Sequence, residues 1–168
     1  HTISVGSTST TVLDKTTNRD GFDTLTNIER LEFSDTSLAL DIAGNAGMTA
    51  KLLGATFGKA SIANKDLVGI GLHMLDGGMS YSDLMGAVIN AVLGSSASNA
   101  AAVDLLYTNV VGVAPSVNDL AFFTDWLDKG IYTKASFGVL AADTELNIVN
   151  VGLVGLASTG LEYTPYVA

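Results

Sequence analysis

The sequence predicts an α+β fold: a short N-terminal β-region followed by an all-α multi-helix domain built from two similar helical units. Two observations predict it. Apolar residues alternate in short β-branched runs up to about Ile42, then recur with a spacing near 3.6 from Gly44 onward. Within the helical part, a set of residues also recurs in the same order at a separation that drifts from 54 to 52 residues. The expected division is therefore 1–42 for the β-region and 43–168 for the helical domain with its tail.

In the β-region, Thr2–Val5 and Thr11–Leu13 are rich in β-branched residues and read as strands around a Gly/Ser/Thr turn at Gly6–Thr10. Asn18-Arg19-Asp20-Gly21 reads as a second turn, with Asp-Gly supplying a positive φ. Leu31 and Phe33 alternate with Glu32 as in a half-buried strand, and Ser37–Ile42 reads as the last strand.

The helical part opens with Met48, Leu52, Ala55 and Phe57 on one helix. Leu67, Ile70, Met74 and Leu75 suit a second. Ser80 with Asp83 forms a variant capping box for a third, which runs to a stop at Gly94. Ser98 or Asn99 caps a fourth, and Pro115-Ser116 restarts the chain for a fifth carrying Leu120, Phe123, Trp126 and Leu127. Thr133 caps a sixth, and a seventh is expected from Thr144 to about Val154. The tail from Gly160 has no clear period. The repeat is carried by Leu52–Ala60 against Leu106–Ala114, Asp66-Leu67 against Asp119-Leu120, Leu75–Gly78 against Leu127–Gly130, and Gly86 against Gly138.

Composition bounds the chemistry. The 168 residues hold 17 Asp+Glu and 8 Lys+Arg, a net charge of −9, with 18 Gly, 2 Pro and no Cys. Hydrophobic residues make up 48% and mean hydropathy is +0.39, too apolar for a disordered acidic chain. A pI near 4.3 leaves no basic footprint, so no nucleic-acid partner is expected. The missing cysteines exclude disulfides, thiolate zinc sites and cysteine nucleophiles. No apolar run reaches the roughly 18 residues of a membrane span, so none is expected. The chain begins at His1 without a visible signal peptide, and the expectation is of a fragment.

Catalytic signatures are sparse. No Gly-x-Ser-x-Gly elbow, phosphate-binding loop, dinucleotide fingerprint or His-Glu-x-x-His motif occurs. His73 stands alone on a helix and reads as structural. Asp76 and Asp128 occupy matching repeat positions, as paired carboxylates would, but each precedes a glycine-containing link where a helix-end role is the commoner one. Phe122, Phe123, Trp126 and Tyr132 suit either a core or a glycan platform. Asp35, Asp41 and Asn45 form a loose oxygen-rich group suited to helix capping or to a metal.

The most informative segment is Asp20-Gly21-Phe22-Asp23-Thr24-Leu25. A carboxylate placed after a tight glycine turn can offer oxygens to Ca²⁺, which takes six to eight of them. The same residues suit an Asx turn closing a hairpin. With its continuation to Asp35, the segment resembles the closing part of RTX-type (haemolysin-type) calcium-binding β-rolls. Leu40–Gly47, the two Leu-Asp-x-Gly segments, Val111–Pro115 and Gly160–Pro165 resemble a helical, phycobilisome-linker-like domain of unknown function that often follows it. The resemblance implies a degenerate β-roll end in the β-region, type I secretion, a calcium-rich extracellular or cell-surface setting, and a place in a larger bacterial product. It carries over only Asp20 and Asp23 as metal ligands, because no Gly-Gly-x-Gly-x-Asp array is present. The lightly charged end, with Asp143, Glu145 and Glu162 as the only charged side chains beyond Lys134, suits an uncleaved export signal.

The expected function is thus a non-catalytic C-terminal module of a secreted bacterial protein. It would act in export, extracellular folding or surface attachment, with Ca²⁺ assisting and a type I exporter, a surface polymer or a glycan as partner. A glycan-binding module using Trp126 and Tyr132 is the alternative, followed by a hydrolase using Asp76 and Asp128. Oligomeric state is not legible.

Overall fold

A computed structural model describes residues 2–6, 9–16, 19 and 21–167. It shows a short N-terminal strand region followed by a mainly helical domain, an α+β architecture. Strands β1 (Thr2–Val5), β2 (Thr10–Leu13) and β3 (Phe22–Leu25) form an antiparallel meander in which Thr10 faces Leu25 and Leu13 faces Phe22. The second sheet contains β4 (Arg30–Glu32), β5 (Ser37–Ala39) and β6 (Leu161–Tyr163), with β5 in the middle. Val12, Leu31 and Leu38 are buried between the sheets, where Ile3, Leu25, Phe33 and Leu40 pack on them.

β6 comes from the tail that lacks a sequence period. Leu161 and Tyr163 point into the main core and Glu162 points out. Alternation over three residues is too short to register as a pattern. Beyond the strand, the backbone N–H of Thr164 donates to the carbonyl of Lys65 at 3.0 Å, and the Thr164 carbonyl lies so close to Gly69 that a Cβ there would come within 1.9 Å of it. The tail therefore joins the second sheet to a helix more than ninety residues earlier in the chain.

The helices are α1 (Asn45–Phe57), α2 (Lys65–Asp76), α3 (Tyr81–Leu93), α4 (Asn99–Val111), α5 (Val117–Asp128), α6 (Lys134–Ala142), α7 (Glu145–Asn150) and α8 (Leu153–Thr159), with a 3-10 turn at Lys59–Ala63. Ser80, Ser98, Ser116, Thr133 and Thr144 each accept a hydrogen bond from the backbone N–H three residues on, satisfying donors that the first turn cannot pair internally. The single helix expected from Thr144 is two, because Gly152 takes a left-handed conformation (φ 63°) between α7 and α8.

α1–α3 and α4–α6 correspond in order and, apart from the shorter α6, in length. Within the units α1 packs on α2 and α4 on α5; between them α1 meets α4 and α3 meets α6. The Asn109 side-chain amide donates to the Ala55 carbonyl across the repeat separation of 54. Gly138 likewise lies against Met85, the neighbour of its counterpart Gly86, where a Cβ would fall 2.6 Å from the Met85 Cγ. Equivalent residues touch only where the axis relating the units passes between them. The shared core, with Leu52, Leu72, Met85, Ile89, Val103 and Leu106 almost wholly buried, lies around that axis.

Candidate functional site

The hairpin between β2 and β3 carries the residues singled out for calcium. Asp20 lies outside the described residues. Asp23 sits on edge strand β3 opposite Val12, with an exposed side chain. Gly21 has φ 82°, the left-handed geometry that the Asp-Gly pair predicts. An interaction unforeseen in the sequence locks this hairpin. The Arg19 guanidinium donates from Nε and an Nη to the two oxygens of Asp14, both at 2.7 Å, and the Asp14 carboxylate is only 2% exposed. Asp14 also accepts from the Thr16 backbone N–H. Among the described residues, no three His, Cys, Asp or Glu side chains gather closely enough to hold a metal.

The second oxygen-rich group divides. Asp35 lies in the turn before β5, while Asp41 and Asn45 lie beyond its other end. Asp41 accepts from the Asn45 backbone N–H at 2.9 Å and so caps α1, whose N-cap Gly44 has no side chain to do it. The same carboxylate bonds the guanidinium of Arg30, which reaches from β4 and also grips Asp76 at the end of α2 at 2.8 and 2.9 Å. Burial alone would lower the Arg30 pKa. Hydrogen bonding and attraction from Asp41 and Asp76 outweigh it and hold the guanidinium above its ordinary value.

Asp76 also accepts from the Asn45 side chain at 2.8 Å, and Asp128 accepts from Asn99 at the same distance. Asn45 and Asn99 are the first residues of α1 and α4; Asp76 and Asp128 are the last of α2 and α5. The matched carboxylates thus have a matched structural role, fastening the end of the second helix to the start of the first in each unit. His73 is exposed on α2 and its ring lies 4.9 Å from that of Tyr166 in the tail.

The aromatic residues of the second unit form one connected row. Phe122 and Phe123 each contact Trp126, Trp126 contacts Tyr132, and Phe123 reaches Tyr107 and Phe137. Phe137 is buried, Phe123, Trp126 and Tyr132 are half-buried, and Phe122 is 56% exposed. The row is both core and surface: its inner end packs the unit and its outer end meets solvent. Large exposed apolar side chains are also most frequent from Val111 onward, with Val111, Leu140, Leu146 and Val149 around α4, α6 and α7. No helix among the described residues is long and apolar enough to cross a membrane. No protein-family model, curated protein or solved structure matches this chain.

Proposed function

We propose that the chain is a non-catalytic module of a secreted bacterial protein that acts in export, extracellular folding or surface attachment, with Ca²⁺ assisting at the β2–β3 hairpin. The observation that carries this reading is the division of labour among its side chains. Asp76 and Asp128, the carboxylates at matching repeat positions, are bonded to the asparagines that open their own units. What the molecule leaves open is apolar and aromatic surface on the second unit, the kind of surface that marks attachment sites. The net charge of −9 supports solubility in transit and attraction of divalent cations.

Two measurements test it. In a Gram-negative host, the chain should reach the medium only when a type I exporter is co-expressed; retention in the cell despite the exporter overturns the secretion reading. Millimolar Ca²⁺ should raise the melting midpoint by linkage, and Asp23→Asn should reduce that rise. An unchanged midpoint removes calcium from the proposal.

A glycan-binding role is the second reading, favoured by the exposed Phe122 ring 5.0 Å from Trp126. Binding on a glycan array that Phe122→Ser and Trp126→Ala abolish would support it, and a blank array would reject it.

A further inference from the structure

The two helical units differ where they should be alike. In the first, α2 presses a glycine onto α1: a Cβ on Gly71 would come 2.8 Å from the Thr49 methyl. The corresponding positions of the second unit hold Phe123 and Val103, so an aromatic ring stands where the first unit has none. α6 is also 9 residues long against 13 for α3. Larger side chains between α4 and α5, together with a shortened third helix, leave a cavity of about 200 Å³ bounded by α4, Phe123, α6 and the start of α7. Leu106, Val110, Phe137 and Ala141 line it, and the partly exposed Val111, Leu140 and Leu146 stand at its rim.

We propose that this cavity binds a small uncharged molecule carrying an apolar ring or a branched alkyl group. Its lining contains no charged side chain. Its two side-chain hydroxyls are already engaged: Tyr107 donates to Asp119, and Thr144 donates to the Ala141 carbonyl while accepting from the Asn147 backbone N–H. A charged ligand would lose hydration there with no partner to replace it. Water finds few partners for the same reason, whereas a Leu/Ile/Phe-lined cavity of about 150 Å³ suffices to bind benzene. The proposal stands apart from the secretion reading, since it depends only on the shape of the second unit.

The test is a titration of the full chain with toluene, read by amide chemical shifts and by thermal melting. Saturable shifts centred on Phe137 and Ala141 are expected, with the midpoint raised by roughly 3–6 °C at about ten times the Kd. Benzoate, of similar shape but charged, should bind at least about tenfold more weakly. Ala141→Leu, which fills the cavity, should weaken toluene binding by at least about tenfold; Ala141→Val replaces it if circular dichroism shows the leucine variant unfolded. Phe123→Leu, which enlarges the cavity, should shift preference from toluene toward isobutylbenzene. Non-saturable shifts, equal binding of benzoate, undiminished binding by the filled variant, or an unchanged preference in the enlarged one would each overturn the proposal.

Discussion

Arg30 joins three elements through its two carboxylate partners, and removing it leaves Asp41 and Asp76 without their common cation. Its side chain is 20% exposed, so the pairing is partly screened and the cost belongs between the surface and buried limits. Arg30→Met should lower unfolding free energy by about 1–3 kcal/mol in urea titrations. Adding Asp76→Asn should recover part of the loss, because it withdraws one of the two uncompensated charges. Tyr163 allows a pH test. Burial and its hydrogen bond to Glu32 push its phenol up to about 12, and burial followed by Asp143 raises Tyr81 further. Unfolding releases each phenol to an ordinary value near 10. Above that pH the unfolded chain sheds protons that the folded chain keeps, so stability falls from about pH 10 through 12 and is unaffected by these groups below. Tyr163→Phe should cost about 1 kcal/mol at pH 9 through the lost hydrogen bond, yet show a shallower decline between pH 10 and 11.5. A decline as steep as the wild type's would rule out Tyr163 as a contributor. Neither residue's role is legible in the sequence, because their partners lie on other elements: Asp76 is 46 positions from Arg30, and Glu32 is 131 from Tyr163.

At the scale of elements, two helical glycines give opposite expectations for one substitution. Gly155 in α8 has open space where a Cβ would go. Gly155→Ala should therefore stabilise by about 0.5–1 kcal/mol through helix propensity alone. Gly69 in α2 would drive its Cβ into the Thr164 carbonyl, which belongs to backbone and cannot rotate aside. Gly69→Ala should gain the same propensity and still lose at least about 1 kcal/mol net, as β6 is displaced. Thermal melting of the two variants decides, and stabilisation by both would show that the tail does not press on α2. The first six helices were legible because each carries an apolar stripe, to which α3–α6 add a local cap, as at Ser80, Ser116 and Thr133. The break at Gly152 was not legible, since an apolar run with glycines in it fits one helix or two until packing chooses. Phe57, placed by its spacing on the buried face of α1, is 43% exposed because it is the helix's last residue.

Across the whole molecule, the paired helical units follow from a repeat visible in the sequence, whereas the joining of strands to helices does not. The repeat predicts which helices correspond; it does not predict that Asn109 meets Ala55 or that Gly138 meets Met85, since periodicity carries no information on the axis between units. The candidate site divides in the same way. The aromatic cluster was legible as a group of rings on one segment, while the cavity beside it arises from the length of α6 and the start of α7, which no motif marks. The joining of strands to helices depends most on the last strand. β6 pairs with β5, buries Leu161 and Tyr163 in the main core, bonds Lys65 through Thr164, and pairs Glu162 with the Lys65 ammonium at 2.6 Å. A chain ending at Gly160 would keep every helix but leave β4 and β5 as a two-stranded ribbon, which is marginal alone. Loss of two large core side chains at about 2–5 kcal/mol each approaches the whole stability of a domain of this size. We therefore expect the truncated chain to retain helical far-UV circular dichroism while losing near-UV signal and a cooperative melting transition. Supplying Gly160–Val167 as a peptide in excess should restore part of the near-UV signal. A cooperative transition in the truncated chain alone, at the full-length midpoint, would show that the tail strand is an attachment to a fold already complete.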